Sequence, residues 1–185
     1  MNDRRPLHVL LLPGWQGSGP AHWQSLWERR HGYQRVEQHD WMQPRRGDWT
    51  ARLQDVLLAQ PAPVLLAAHS LGCILLAWWA AHSRHTDRVA GALLVAPPDI
   101  ERADNRQLIP GWAPVARARL PFPSTLVASS DDPFGSLDNA SRLAADWGAD
   151  FVNLGPCGHL NADSGLGEWD AGHDMLRQLG HSRLD

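Results

Sequence analysis

Residues 63–82 read PVLLAAHSLGCILLAWWAAH: an apolar run, a His-Ser pair, and after Gly72 a second apolar run with no charged residue before Arg84. The first run is continuous rather than alternating, which predicts a strand covered on both faces, as in a parallel sheet. The second is long enough for a helix and lacks a polar face, so it must be buried nearly all round. A chain that carries both must place a sheet at its centre and lay this helix directly on it.

The same arrangement recurs along the sequence. Strand-like runs occupy 7–12, 35–41, 63–69, 90–96, 124–129 and 150–154, and most are continuously apolar. Helix-like segments lie between them near 20–31, 50–60, 71–83 and 137–147, with a last one at about 168–179. Gly148 supplies a stop signal after the fourth of these. Alternating strands and helices predict an α/β fold: a doubly wound, about six-stranded, mainly parallel sheet with helices on both faces. The stretch 97–123 is rich in proline and irregular, and too short for a large lid domain. With 185 residues and neither repeats nor a linker-like tract, residues 1–185 are expected to form one domain.

Composition narrows the partners. The net charge is −3 and the arginines are scattered, which argues against a nucleic-acid surface. The N-terminal apolar run LHVLLL is too short for a signal-peptide core and ends at Pro13-Gly14. No run approaches the ~18 apolar residues of a membrane span. Two cysteines, Cys73 and Cys157, do not make a disulfide framework, so a cytoplasmic location is expected. The ten tryptophans are expected mainly in the core, with Trp15 at a pocket and Trp78 and Trp79 buried.

Ser70 interrupts the apolar stretch at the strand-to-helix junction. A sharp turn there would expose its Oγ at the sheet edge, and it requires small residues two before and two after. Those positions are Ala68 and Gly72, and Ser70 alone among the eleven serines has Gly or Ala at both. The alternative is a structural serine capping a buried helix. In the nucleophile reading, the Leu71 N–H at the start of the helix is a natural oxyanion donor. A second donor is expected from the loop after the first strand, LLPGWQGSGPAHW, where the Trp15 amide is favoured. That loop lacks the glycine spacing or the Gly-Lys-Ser/Thr ending of a phosphate cradle.

A nucleophilic serine needs a histidine and a carboxylate, in the order Ser, Asp, His along such a chain. VASSDDPFGS follows the fifth strand and LGPCGHLNADSG the sixth, both polar, turn-rich segments on the edge where Ser70 would lie. His159 is the candidate base, and Asp131 and Asp132 both qualify as the acid. Cys157 is poorly suited as a nucleophile, since no strained turn presents it. His82 and His85 in HSRH lack the further ligands of a zinc site. Neither a metal nor a cofactor is expected.

The segments LLPGWQGSGPAHWQSLWE, VEQHDWMQP, AAHSLGCI, LPFPSTLVASSDDPF and WGADFVNLGPCGHLNADSGLGEW span nearly the whole chain. In them the sequence resembles the small α/β-hydrolase serine hydrolase family that includes retinoblastoma-binding protein 9 and its bacterial relatives. The resemblance implies Ser70 as nucleophile, Asp132 as acid and His159 as base, with Asp-Pro-Phe matching the pattern that follows the acid in related hydrolases. Ala68 stands where the general pattern has glycine, a sterically mild departure. The expected activity is cleavage of small carboxylic esters through an acyl-enzyme. The alternatives are an amidase or peptidase on small substrates, or a catalytically silent hydrolase-fold binding protein. The oligomeric state is left open.

Overall fold

The computed structural model describes residues 8–181. Six parallel strands form one sheet in the order β2-β1-β3-β4-β5-β6: β1 (Val9–Leu12), β2 (Gln34–Arg35), β3 (Val64–His69), β4 (Val89–Val95), β5 (Ser124–Ala128) and β6 (Asp150–Asn153). The helices are α1 (Trp23–His31), α2 (Arg46–Ala59), α3 (Leu71–His82), α4 (Ala103–Leu108), α5 (Leu137–Trp147) and α6 (Asp170–His181). From β1 the chain first moves to one side to form β2, then returns to the other to form β3. The strand order therefore reverses between β1 and β3, and the crevice beyond their C-terminal ends is where open α/β sheets hold ligands. Ser70 directly follows β3.

Alternate residues of the central strands feed two cores. Leu10, Leu12, Leu66 and Ala68 pack with α2, α3 and α5 on one face, and Val9, Leu11, Leu65 and Ala67 pack with α1 and α6 on the other. Burial on both faces explains the continuous apolar strands. Six tryptophans (Trp23, Trp27, Trp49, Trp79, Trp112 and Trp147) are almost fully buried. Each indole N–H still reaches an acceptor: the carbonyls of Leu160, Glu168, Asp40, Pro44 and Ala116, and the Gln54 side chain for Trp79. Five of the six thus peg a loop carbonyl to the core. Trp78 departs from the expectation of burial: it is only partly covered, with the Arg46 guanidinium 3.5 Å above its ring and His82 stacked beside it.

Four elements differ from the sequence expectation. The strand expected at 35–41 is only Gln34–Arg35, because beyond it the chain supports the loop after β1. There Trp41 O accepts from Gln16 N–H, and the Trp41 ring packs against Gly17. Helix α2 starts at Arg46 rather than near 50, and α1 starts at Trp23 with His22 as its N-cap. The segment 97–123, expected to be irregular, contains α4, whose Asn105 is held by the Asp99 and Phe134 carbonyls. No large lid domain is present among the described residues.

Among the described glycines the tightest site is Gly72, where an added Cβ would stand 2.3 Å from the Leu12 carbonyl oxygen. Gly72→Ala must push α3 off β1, and we expect a loss of roughly 3 kcal/mol, which lowers Tm by about 6–12 °C. Gly47, also helical, has no atom within 4 Å of such a Cβ. Gly47→Ala should instead raise Tm by about 1–3 °C through helix propensity alone. Thermal unfolding of the two variants checks both, and equal behaviour would contradict the packing at Gly72.

Candidate active site

Ser70 adopts φ 54° and ψ −123°, a conformation that costs a non-glycine residue about 1–3 kcal/mol. Its neighbours hold it there. The Ser70 N–H donates to Val95 O and the Ser70 carbonyl accepts from Cys73 N–H, both at 2.9 Å. On either side, Gly72 abuts the Leu12 carbonyl and Gly14 abuts Ser70 itself, where a Cβ would lie 2.8 Å from the serine Cβ. The glycines at 14 and 72 are therefore steric requirements of this turn. Cys73 is fully buried and its thiol donates weakly toward the Ala68 and Val95 carbonyls. Burial pushes its pKa far above the ordinary thiol value, so it is an inert packing residue.

Ser70 Oγ lies 2.9 Å from His159 Nε2, and His159 Nδ1 lies 2.9 Å from both carboxylate oxygens of Asp132. An ionised carboxylate only accepts, so Nδ1 carries the proton and Nε2 presents its lone pair to the serine hydroxyl. Both side chains are nearly buried, at 9% exposure for His159 and 3% for Asp132. Asp132 also accepts from the Phe134 N–H at 2.9 Å, which fixes the carboxylate plane.

Asp131, the competing carboxylate, has a different set of contacts. Its Oδ1 accepts from the Ser129 hydroxyl at 2.8 Å and from the Gly158 N–H at 2.7 Å, while Ser129 Oγ accepts from the Cys157 N–H at 2.9 Å. The Ser129 hydroxyl, followed by the Gly158 amide, holds the Asp131 carboxyl below the usual carboxylate range. These bonds clamp the loop after β5 to the loop after β6, immediately before His159. The next residues are also tied down: His69 Nε2–H donates to the His159 carbonyl and the Trp23 indole to the Leu160 carbonyl, each at 2.9 Å.

Sequence reasoning missed His22 and His69. His69 ends β3 and His22 caps α1, and both line the same cleft as Ser70. The rings form a chain, His22 to His69 at 4.6 Å and His69 to His159 at 5.0 Å. Burial, reinforced by Arg35 and His159, lowers the His22 pKa to about 3, and burial together with its two histidine neighbours drives that of His69 well down. Both are neutral at physiological pH. The available signal was a polar residue at the end of an otherwise apolar strand, which for His69 was overshadowed by Ser70.

A cavity of about 430 Å³ opens over Ser70, with Trp15 and Leu71 on one side, Leu108 and Ile109 on another and Phe134 beside His159. Trp15 is fixed by its indole N–H on the Met42 carbonyl at 3.0 Å. An added Cβ on Gly14 would stand 3.1 Å from Leu71 N, so the chain entering Trp15 runs alongside the first amide of α3. Among the described residues neither the Trp15 nor the Leu71 N–H has a hydrogen-bond partner. Helix α4, unexpected from the sequence, walls the cavity through Asn105 and Leu108. Among the described residues no group of three His, Cys, Asp or Glu side chains is placed to hold a metal ion, and no helix is long and apolar enough to cross a membrane. His82 and His85 lie apart from the cleft, exposed at the end of α3.

Comparison with known proteins agrees with this architecture. The sequence model of the family described as Serine hydrolase matches residues 9–178. A YdeN-like hydrolase from Pectobacterium atrosepticum is 31% identical with a TM-score of 0.83, covering 95% of this chain and 91% of its own. The ydeN gene product of B. subtilis, 20% identical over 94% of this chain and 98% of its own, superposes with a TM-score of 0.76. The esterase RhEst1 from Rhodococcus sp. shares the fold at 14% identity and a TM-score of 0.66, over 94% of this chain and 91% of its own. No curated protein sequence matches the chain. With a family model that runs from β1 into α6 and a solved relative alike over almost its full length, this chain belongs to the serine hydrolase family, built on the α/β-hydrolase fold.

Proposed function

We propose that the protein cleaves small carboxylic esters, with Ser70 as nucleophile, His159 as general base and then acid, and Asp132 as the residue that orients His159. The observation that carries this reading is the pair of 2.9 Å contacts at the two nitrogens of His159, one to Ser70 Oγ and one to Asp132. His159 Nε2 takes the hydroxyl proton as Oγ attacks the ester carbonyl. The Trp15 and Leu71 amides, both without partners among the described residues, stabilise the oxyanion. Asp132 keeps the proton on Nδ1 and stabilises the imidazolium. His159 then protonates the departing alcohol, and water activated by the same imidazole releases the acid and restores Ser70. No cofactor takes part in these steps.

Ester substrates are favoured over amides on two grounds. The wall outside the Ser-His-Asp set carries no charged side chain, so nothing is placed to bind a peptide terminus. Two structural neighbours are named as esterases. A small-molecule ester is thus the partner we assign. The two free thiols support a reducing, cytoplasmic setting.

A fluorophosphonate should form one adduct, on the peptide that contains Ser70, and Ser70→Ala should abolish it. The same variant should lose at least about 10⁴-fold in kcat on p-nitrophenyl butyrate. A well-folded wild type without an adduct would remove the nucleophile assignment and favour the binding-protein alternative. Asp132→Asn should lose about 10³–10⁴-fold in kcat by stranding the wrong histidine tautomer. Asp131→Ala, which only loosens the His159 loop, should lose roughly tenfold. Steady-state kinetics on the two variants decides the assignment, and the reverse ranking would exchange the two aspartates.

A further inference from the structure

Besides the Trp15 and Leu71 amides, two donors on N-cap side chains in the wall of the cavity have no hydrogen-bond partner among the described residues, and both arise in the same way. His22 is the N-cap of α1, and its Nδ1 accepts from the Gln24 N–H at 3.1 Å. That nitrogen therefore holds a lone pair, and the proton of the neutral ring is on Nε2. Nε2 is buried without a partner, in a residue only 4% exposed. Asn161 is the N-cap of the short 3₁₀ turn Ala162–Ser164, and its Oδ1 accepts from the Asp163 N–H at 3.0 Å. Its amide nitrogen is left over, with no partner among the described residues.

The two caps are neighbours, because the Trp23 indole donates to the Leu160 carbonyl and so joins the residues next to each of them. Both line the cavity that contains Ser70 and His159. For His22, a buried N–H without an acceptor costs about 1–3 kcal/mol, which an acceptor supplied by a ligand recovers, whereas the partly exposed Asn161 amide exchanges water for the ligand. No Lys or Arg lines the cavity, so nothing there favours a carboxylate over a neutral oxygen.

We propose that His22 and Asn161 form a two-donor subsite for a second, uncharged carbonyl oxygen of the substrate, carried on its alcohol portion. The side follows from the site itself and rests on the ester-hydrolase reading above. The leaving oxygen must lie within hydrogen-bond reach of His159 Nε2 to receive its proton. Asn161 is two residues beyond His159 on the same loop, and the Trp23–Leu160 bond brings His22 to that loop. The preferred substrate class is then a short acyl ester of a hydroxyketone or of a similar alcohol bearing a carbonyl. A plain alkanol ester leaves both donors empty.

The test compares butyrate esters that differ by one CH₂→C=O replacement: 3-oxobutyl against butyl, and 4-oxopentyl against pentyl. For wild type we expect the oxo member of at least one pair to be favoured in kcat/KM by roughly tenfold or more. His22→Ser keeps a capping oxygen for α1 and removes the donor, and Asn161→Asp keeps the cap and replaces the donor by an acceptor. Each should collapse that ratio, whereas damage to His159 or to the fold lowers both members alike. Titration of the same esters into Ser70→Ala by NMR reads binding without turnover. A tighter oxo ester there, with the difference lost in Ser70→Ala/Asn161→Asp, supports the subsite even if wild type hydrolyses neither ester. Equal binding and equal kcat/KM within every pair, or a ratio unmoved by both substitutions, overturns it while leaving the hydrolase assignment in place.

Discussion

The contact between Gly72 and the Leu12 carbonyl governs the geometry of this protein. The first turn of α3 can descend onto the end of β1 only because residue 72 has no Cβ. That descent bends the chain so sharply at Ser70 that the serine takes a positive φ. The same proximity brings the Pro13-Gly14-Trp15 loop against Ser70 and Leu71, so one steric requirement sets the serine, the first helical amide and the neighbouring loop together. The strain at Ser70 is opposed by the almost complete burial of α3, whose apolar residues contribute about 1.5–3 kcal/mol each. The apolar run that attracts attention in the sequence thus stabilises an unfavourable backbone at its first residue.

The opposite wall of the site depends on tryptophan. The Trp23 and Trp27 indoles bond to the carbonyls of Leu160 and Glu168, near the middle and at the far end of the loop between β6 and α6, and Trp169 packs with both rings. The loop also buries Leu160 and Trp169 in the core it shares with α1 and α6. Its order thus comes from apolar packing together with directed N–H bonds from α1. The Asp131–Gly158 and His69–His159 bonds add two further restraints on either side of the histidine. His159 is consequently positioned by three elements of the fold rather than by its own loop.

Features carried by pattern were legible in the sequence, and features carried by single hydrogen bonds were not. Continuous apolar runs gave β1, β3, β4 and β5 to within two residues, because burial on both faces leaves little ambiguity, whereas β6, expected at 150–154, is a mostly exposed edge strand. The run 35–41 misled because Val36 is its only aliphatic residue: the chain pairs with β1 only as far as the Val36 N–H on Leu11 O, and Trp41 then bonds to the loop after β1. Helix α4 escaped notice because it is only six residues long and its anchor, Asn105, is polar. Turn chemistry and strand order were enough to expect Ser70 and His159 on one sheet edge, where their side chains meet. They left Asp131 and Asp132 both open, since adjacent carboxylates differ only in which loop groups each one meets; the resemblance favoured Asp132, the one in contact with His159. His22 and His69 were hidden for a related reason: a capping histidine and a strand-end histidine carry no periodicity, and only the folded sheet brings their rings together.

Those rings also shape the electrostatics around His159. At 5.0 Å, a charged His69 would oppose an imidazolium on His159 by about 3 kcal/mol at an effective dielectric of 20, equivalent to more than a hundredfold in rate. Burial removes that conflict by keeping His69 neutral, and the same neutrality leaves its Nε2–H free to donate to the His159 carbonyl. His22, also neutral, adds no charge either. In the proposed mechanism, the positive charge that develops beside Ser70 is then confined to one ring, and Asp132 is the anion in contact with it. A polar cluster of three imidazoles can occupy the floor of a hydrolytic site because two of them are held too deep to ionise.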